Sequence, residues 1–261
     1  MTSESSPTAR RRTASTRRRR VRAIGLGALG ALIVVIFGFT LWANSPYRAD
    51  RTATLEVFGN PAISVSTVDE GVLLEPVGDA AATGEQVGLV VVPGARVDAW
   101  AYLYQMSGIV EQSGVTVLIT RPPLNLAFFD LRGLDELTTA APGVERWFLA
   151  GHSLGGVRAC LMAQDAEVEG VVLLGSYCAN DLSDTGLAVL SVAAENDGLT
   201  ELETISDTAD LLPGDARFEV IEGANHAAFG DYGPQSGDGE RTITSAQMRE
   251  QLTALLAELV R

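Results

Sequence analysis

The stretch Trp147-Phe148-Leu149-Ala150-Gly151-His152-Ser153-Leu154-Gly155-Gly156 constrains the fold more than any other, because an apolar run passes directly into Gly-x-Ser-x-Gly and then into a helix-forming segment. Glycines at that spacing around a serine permit a sharp strand-to-helix turn in which backbones crowd together and the serine hydroxyl stands exposed above a sheet. A bare match carries little weight in a chain of 27 glycines, so the flanks decide. Arg146 to Ala150 reads as a short buried strand, and Val157 to Ala163 continues as a helix rich in good helix formers. Ser153 is therefore a candidate nucleophile, with a glycine turn around an ordinary serine as the bland alternative.

A serine hydroxyl is a poor nucleophile at neutral pH and needs a base, usually an imidazole oriented by a carboxylate. The chain has two histidines. His152 lies inside the turn itself, which leaves His226, in Gly223-Ala224-Asn225-His226, as the candidate base. The carboxylate is expected after the preceding strand, in Ala194-Glu195-Asn196-Asp197-Gly198, where Asp197 is the choice and Glu195 the reserve. Asp181 and Asp184 are more distant candidates, and turn capping is the structural alternative for Asp197. The order Ser153, Asp197, His226 is the one associated with this kind of elbow, and differs from two other serine hydrolase arrangements. An oxyanion hole would use the Leu154 N–H, at a helix N-terminus, and a second N–H from the loop Val92-Pro93-Gly94-Ala95-Arg96.

Strand-like runs cover residues 62–68, 71–75, 87–92, 115–120, 146–150, 170–174, 187–193 and 217–221. The later runs are continuously apolar, as parallel strands covered on both faces are. Helical segments are expected over 98–112, 133–140, 154–164, 199–211 and 245–260, the last with a stripe at Met248, Leu252, Leu255, Leu256 and Leu259. An opening hairpin followed by alternating strand and helix gives an α/β class: a mostly parallel sheet of about eight strands, helices on both faces, and ligands gathered at the carboxyl ends of the strands.

All 19 basic residues are arginine, eight of them between Arg10 and Arg22. From Asn44 onward 11 arginines face 32 acidic residues, which disfavours nucleic acid as a partner. Residues 1–22 read as a disordered Arg-rich cytoplasmic tail. Residues 23–43 carry no charge and at 1.5 Å per residue form a helix of about 30 Å, enough to span a bilayer. The arginine cluster before them places the N-terminus in the cytoplasm. A cleaved signal peptide is the competing reading, disfavoured by the length of the apolar run and by Leu41 three positions before the best cut. Residues 45–51 look like a short tether, and 44–261 is the exported catalytic domain. Cys160 and Cys178 are the only cysteines, too few for a cysteine-built zinc site; both a bridge between them and two unpaired buried thiols are open. No nucleotide loop, cofactor or catalytic metal cluster is expected.

From about Ala62 to Val260 the elbow, the Ser-Asp-His order and the loop after the third strand resemble the α/β-hydrolase superfamily. Segments 225–233 and 121–127 resemble a bacterial branch of small, lidless members. In relatives the oxyanion loop often begins His-Gly and donates from the next residue; Pro93 stands where that histidine would, so the resemblance implies Ala95 N–H as donor. Only about a dozen residues separate Leu174 from Leu187, too few for a large cap domain. The resemblance implies a serine carboxylic ester hydrolase acting on small-molecule or surface-bound acyl esters. An acyltransferase with the same triad, or a catalytically silent surface binding module, is the alternative. Arg121, just past the fourth strand, either meets an anionic substrate group or, preferably, pairs with an acid.

Overall fold

The computed structural model describes residues 8–83 and 86–261, in two units divided after Ser45. The first is one helix, α1 (Thr8–Ala43). Its portion Val21–Ala43, 23 residues with none of its most apolar window buried, is long and apolar enough to cross a membrane, a test that a signal sequence also meets. The disorder expected of residues 1–22 lies partly outside the described residues. From Thr8 onward the backbone is helical instead, because a run of arginine, a good helix former, extends a helix already nucleated by the apolar segment.

The second unit is built on eight strands: β1 (Ile63–Thr67), β2 (Gly71–Pro76), β3 (Val87–Val92), β4 (Thr116–Thr120), β5 (Arg146–His152), β6 (Gly170–Leu174), β7 (Ala188–Ala194) and β8 (Arg217–Ile221). They lie in the order β1-β2-β4-β3-β5-β6-β7-β8. β1 and β2 form an antiparallel hairpin and β2 is antiparallel to β4; every other neighbouring pair is parallel. All six residues of β3 are buried, and they alternate between two cores. Leu89 and Val91 pack with the helices α2 (Arg51–Phe58), α3 (Leu103–Ser113) and α7 (Ser245–Leu259), while Val90 joins the opposite layer with Leu134, Leu137 and Cys160. Burial on both faces is what the continuous apolar runs encoded.

On α7 the buried apolar positions are Met248, Leu252 and Leu256, one face at a spacing of four, with Thr253 buried beside them and Leu255 and Leu259 half-buried at the flanks. Thr244 caps this helix, its hydroxyl accepting from the Gln247 N–H while the Gln247 side chain accepts from the Thr244 N–H. The remaining helices are α4 (Leu134–Thr138), α5 (Leu154–Ala163) and α6 (Leu202–Asp207). Among the described residues no helix interrupts the connection from β6 to β7, and no large cap domain covers the sheet. That connection carries Cys178, bonded to Cys160 on α5 across 18 residues of sequence; in the chain-entropy view, closing a loop of that size contributes roughly 3 kcal/mol.

Two further segments differ from the sequence reading. The tether is part of the domain: Tyr47 N–H donates to Arg96 O at 2.6 Å, Asp98 N–H to Tyr47 O at 2.9 Å and Asp50 N–H to Asp231 O at 3.1 Å. Helix α2 follows at once, its first amides held by the Asp50 side chain, which accepts from Thr52 N–H and Ala53 N–H. The helix expected over 199–211 shortens to α6 and a 3-10 turn at Ala209–Leu211. Its intended first turn is taken instead by Asp197, whose carboxylate accepts from Leu199 N–H and Thr200 N–H.

Candidate active site

Ser153 sits between β5 and α5 with φ 52° and ψ −124°, a left-handed conformation that a side-chain-bearing residue adopts only when its surroundings impose it. Those surroundings are backbone against backbone. A Cβ on Gly151 would overlap the Gly155 carbonyl, one on Gly155 would overlap the Val92 carbonyl, and one on Gly156 would overlap the Ser176 hydroxyl. The turn is tied down by Ser153 N–H donating to Leu174 O at 3.1 Å and by Ser176 Oγ donating to Ser153 O at 2.6 Å. Ser153 remains partly exposed. Among the described residues its hydroxyl has no hydrogen-bond partner.

His226 opens a 3-10 turn, His226–Gly230, whose preceding residue Asn225 accepts from Ala228 N–H. Its Nδ1 lies 2.7 Å from Oδ2 of Asp197, and both side chains are almost fully buried. The other oxygen of Asp197 accepts from Leu199 N–H at 2.8 Å and Thr200 N–H at 2.7 Å, so the carboxylate is held from two sides. A carboxylate bonded to Nδ1 fixes the imidazole with its other nitrogen turned to the far side of the ring, the geometry of an oriented base. Glu195 is otherwise engaged, accepting from Gly223 N–H at 2.8 Å, and Asp181 caps its own turn through Ser183.

Asp238 was not singled out in the sequence, yet it fixes the histidine loop. Its carboxylate accepts from His226 N–H at 3.0 Å and Ala227 N–H at 2.9 Å. The only local signal was Gly237-Asp238-Gly239, which marks a turn and not a partner 12 residues away. The Leu154 N–H, at the N-terminus of α5, and the Ala95 N–H, in the loop after β3, donate to no group among the described residues. Two amides of the expected oxyanion pair are thus unspent.

Among the aromatic residues on the loops around the site, Phe229 and Tyr232 are core, whereas Phe128 and Phe129 are half exposed. They occupy the loop after β4, which Arg158 of α5 grips through the carbonyls of Asp130 and Arg132. Arg121 is exposed and forms no ion pair among the described residues, contrary to the pairing expected of it. Its side chain meets no acid because the acid nearest in sequence on that loop, Asp130, is taken by Arg132 at 2.6 Å. Among the described residues no group of three or more His, Cys, Asp or Glu side chains is placed to hold a metal ion.

A family model described as alpha/beta hydrolase family matches residues 88–250. The chain belongs to the α/β hydrolase family. Solved structures agree on the fold. A lidless α/β serine hydrolase from Xanthomonas campestris is 16% identical, with 76% of this chain and 95% of that one covered and a TM-score of 0.53. An esterase from Pyrococcus furiosus is 12% identical over 82% and 96% of the two chains, with a TM-score of 0.55. The esterase domain of a Rhodothermus marinus protein is 16% identical over 76% and 99%, with a TM-score of 0.52. No curated protein matches the chain.

In this α/β hydrolase the Asp197–His226 pair leans on Gly175, at the end of β6. That residue has φ +50°, and a Cβ there would fall 2.9 Å from Asp197 Oδ2 and 3.3 Å from His226 Nδ1. Gly175→Ala is expected to cost about 1–3 kcal/mol of stability for the left-handed backbone and the crowding. Hydrolytic turnover should fall further than stability alone explains. Urea unfolding and turnover measured together check this, and a variant with wild-type turnover would remove Gly175 from the account.

Proposed function

We propose that this hydrolase is a serine carboxylic ester hydrolase working through an acyl-enzyme, with Ser153 as nucleophile, His226 as base and Asp197 as the carboxylate that orients it. The observation that carries the reading is the buried Asp197–His226 contact of 2.7 Å beside a strained serine elbow. His226 takes the Ser153 proton as Oγ attacks the ester carbonyl. Asp197 stabilises the imidazolium that forms. The Leu154 and Ala95 N–H groups receive the developing oxyanion, where unspent donors in fixed positions act without reorganisation. His226 then protonates the leaving alcohol, and a water activated by the same imidazole releases the acid.

Among the described residues Ser153 and His226 share no hydrogen bond, which fits this reading because such contacts commonly tighten only when substrate is bound. The lack of a cap leaves the site open to small esters or to acyl groups presented on a surface. We place residues 1–22 in the cytoplasm, residues 23–43 in the membrane as an uncleaved anchor and residues 44–261 outside. Support comes from the arginine cluster ahead of the apolar helix, and from the Cys160–Cys178 disulfide, a bond that persists in oxidising compartments.

Ser153→Ala is expected to lower p-nitrophenyl acetate turnover by roughly 10⁴- to 10⁶-fold, and Asp197→Asn by about 10⁴-fold. Full turnover in Ser153→Ala would refute the assignment. For the topology, protease added to spheroplasts should digest the catalytic unit; its protection inside the membrane would reverse the orientation.

A further inference from the structure

The loop after β3 presents four consecutive amides, those of Gly94, Ala95, Arg96 and Val97, and three are committed. Gly94 N–H donates to the Tyr102 hydroxyl at 2.8 Å, Arg96 N–H to Asn125 O at 2.7 Å and Val97 N–H to Gly94 O at 3.1 Å. Ala95 N–H alone donates to nothing among the described residues. What holds Gly94 is therefore what decides which amide stays available to an oxyanion.

Tyr102 ends the 3-10 turn Ala99–Tyr102 and is completely buried, and its hydroxyl also lies 2.8 Å from Nδ1 of His152. A phenol has one hydrogen to give. Since its oxygen already accepts from Gly94 N–H, the arrangement that satisfies it donates that hydrogen to His152 Nδ1; the reverse would strand a phenolic proton in the core as well as the Nε2 lone pair. His152 thus carries its proton on Nε2, for which no hydrogen-bond partner of good geometry lies among the described residues, and accepts at Nδ1. It stays neutral. Burial first, and then the adjacent His226 imidazole, hold its pKa well below the ordinary histidine range against a smaller opposing pull from the His226 backbone. The ring centroids of the two histidines are 4.4 Å apart. Burial also raises the Tyr102 pKa, so the phenol keeps its proton. Gly94 is tied to the same relay by space, because a Cβ there would fall 2.9 Å from His152 Nδ1.

We propose that Tyr102 and His152 are positioning residues of the oxyanion loop: the chain His152–Tyr102–Gly94 fixes the Gly94 peptide so that the Ala95 N–H is the amide left for the transition state. The inference rests on the ester hydrolase reading given above. Both side chains are fully buried, which keeps them from direct contact with a substrate. His152, which occupies the variable position of the Gly-x-Ser-x-Gly turn, connects the nucleophile elbow to the oxyanion loop through one phenol, so both halves of the site share a single register.

The test uses the full-length protein in detergent, with kcat expressed per active site titrated by a fluorophosphonate. Tyr102→Phe keeps the ring and removes the acceptor. Its kcat per titrated site should fall roughly 10- to 100-fold with KM little changed, since a displaced oxyanion donor is felt mainly in the transition state. His152→Phe should show a loss of the same kind, and the double variant should lose little more than either single one, because both act through one chain. A purely structural role would lower the number of titratable sites and leave kcat per site intact. Wild-type kcat per site in Tyr102→Phe, or losses that multiply in the double variant, would overturn the proposal; should Tyr102→Phe fail to fold, kcat per site in His152→Phe decides in the same way. If Ser153→Ala is inactive while these variants are fully active, only the positioning role falls. If Ser153→Ala is active, the hydrolase assignment itself falls.

Discussion

Backbone crowding at the turn from β5 into α5 is the constraint on which the rest of the site depends. Gly151, Gly155 and Gly156 lie where any Cβ would meet a carbonyl or hydroxyl oxygen, and this close packing holds Ser153 in its left-handed conformation. The strain is sustained by the sheet: Ser153 N–H reaches back to Leu174 at the end of β6, and Gly155 packs on the end of β3. Those two contacts put the serine beside the loop after β3 and beside the strand that leads toward Cys178. The parallel order β3-β5-β6-β7-β8 then brings the loops carrying Ala95, Ser153, Asp197 and His226 to the carboxyl end of one sheet.

Much of this was legible in the sequence because the signals are local. Continuous apolar runs located the strands, since burial on two faces removes the alternation of a half-exposed strand. Ser153 was marked by its glycines and His226 by elimination, there being one other histidine in the chain. Asp197 was chosen for its position after β7; it lies 2.7 Å from His226, while Glu195 holds Gly223.

What was not legible depends on partners distant in sequence. Nothing in Pro46 to Asp50 announces that Tyr47 will pair with Val97 and Ala49 with Tyr232, so the segment read as a tether. Asp238 looked like a turn residue until its carboxylate met two amides of the histidine loop. Tyr102 carries no local signal; the positioning role proposed for it follows from a hydroxyl placed between Gly94 and His152, 8 and 50 residues away. The α6 segment was misjudged for the opposite reason: its helical pattern was real, but Asp197 took its first amides.

The central claim is that Ser153 carries the acyl group of an ester between two half-reactions. It is tested most directly by mixing the full-length protein with excess p-nitrophenyl acetate, quenching in acid within the burst, and mapping the adduct by mass spectrometry. The account predicts a burst of nitrophenol close to one per active site, and an acetyl group on the peptide containing Ser153 that vanishes in Ser153→Ala. Turnover with no burst and no acetyl group on that peptide, or an acetyl group on another residue that turns over at the catalytic rate, would contradict it.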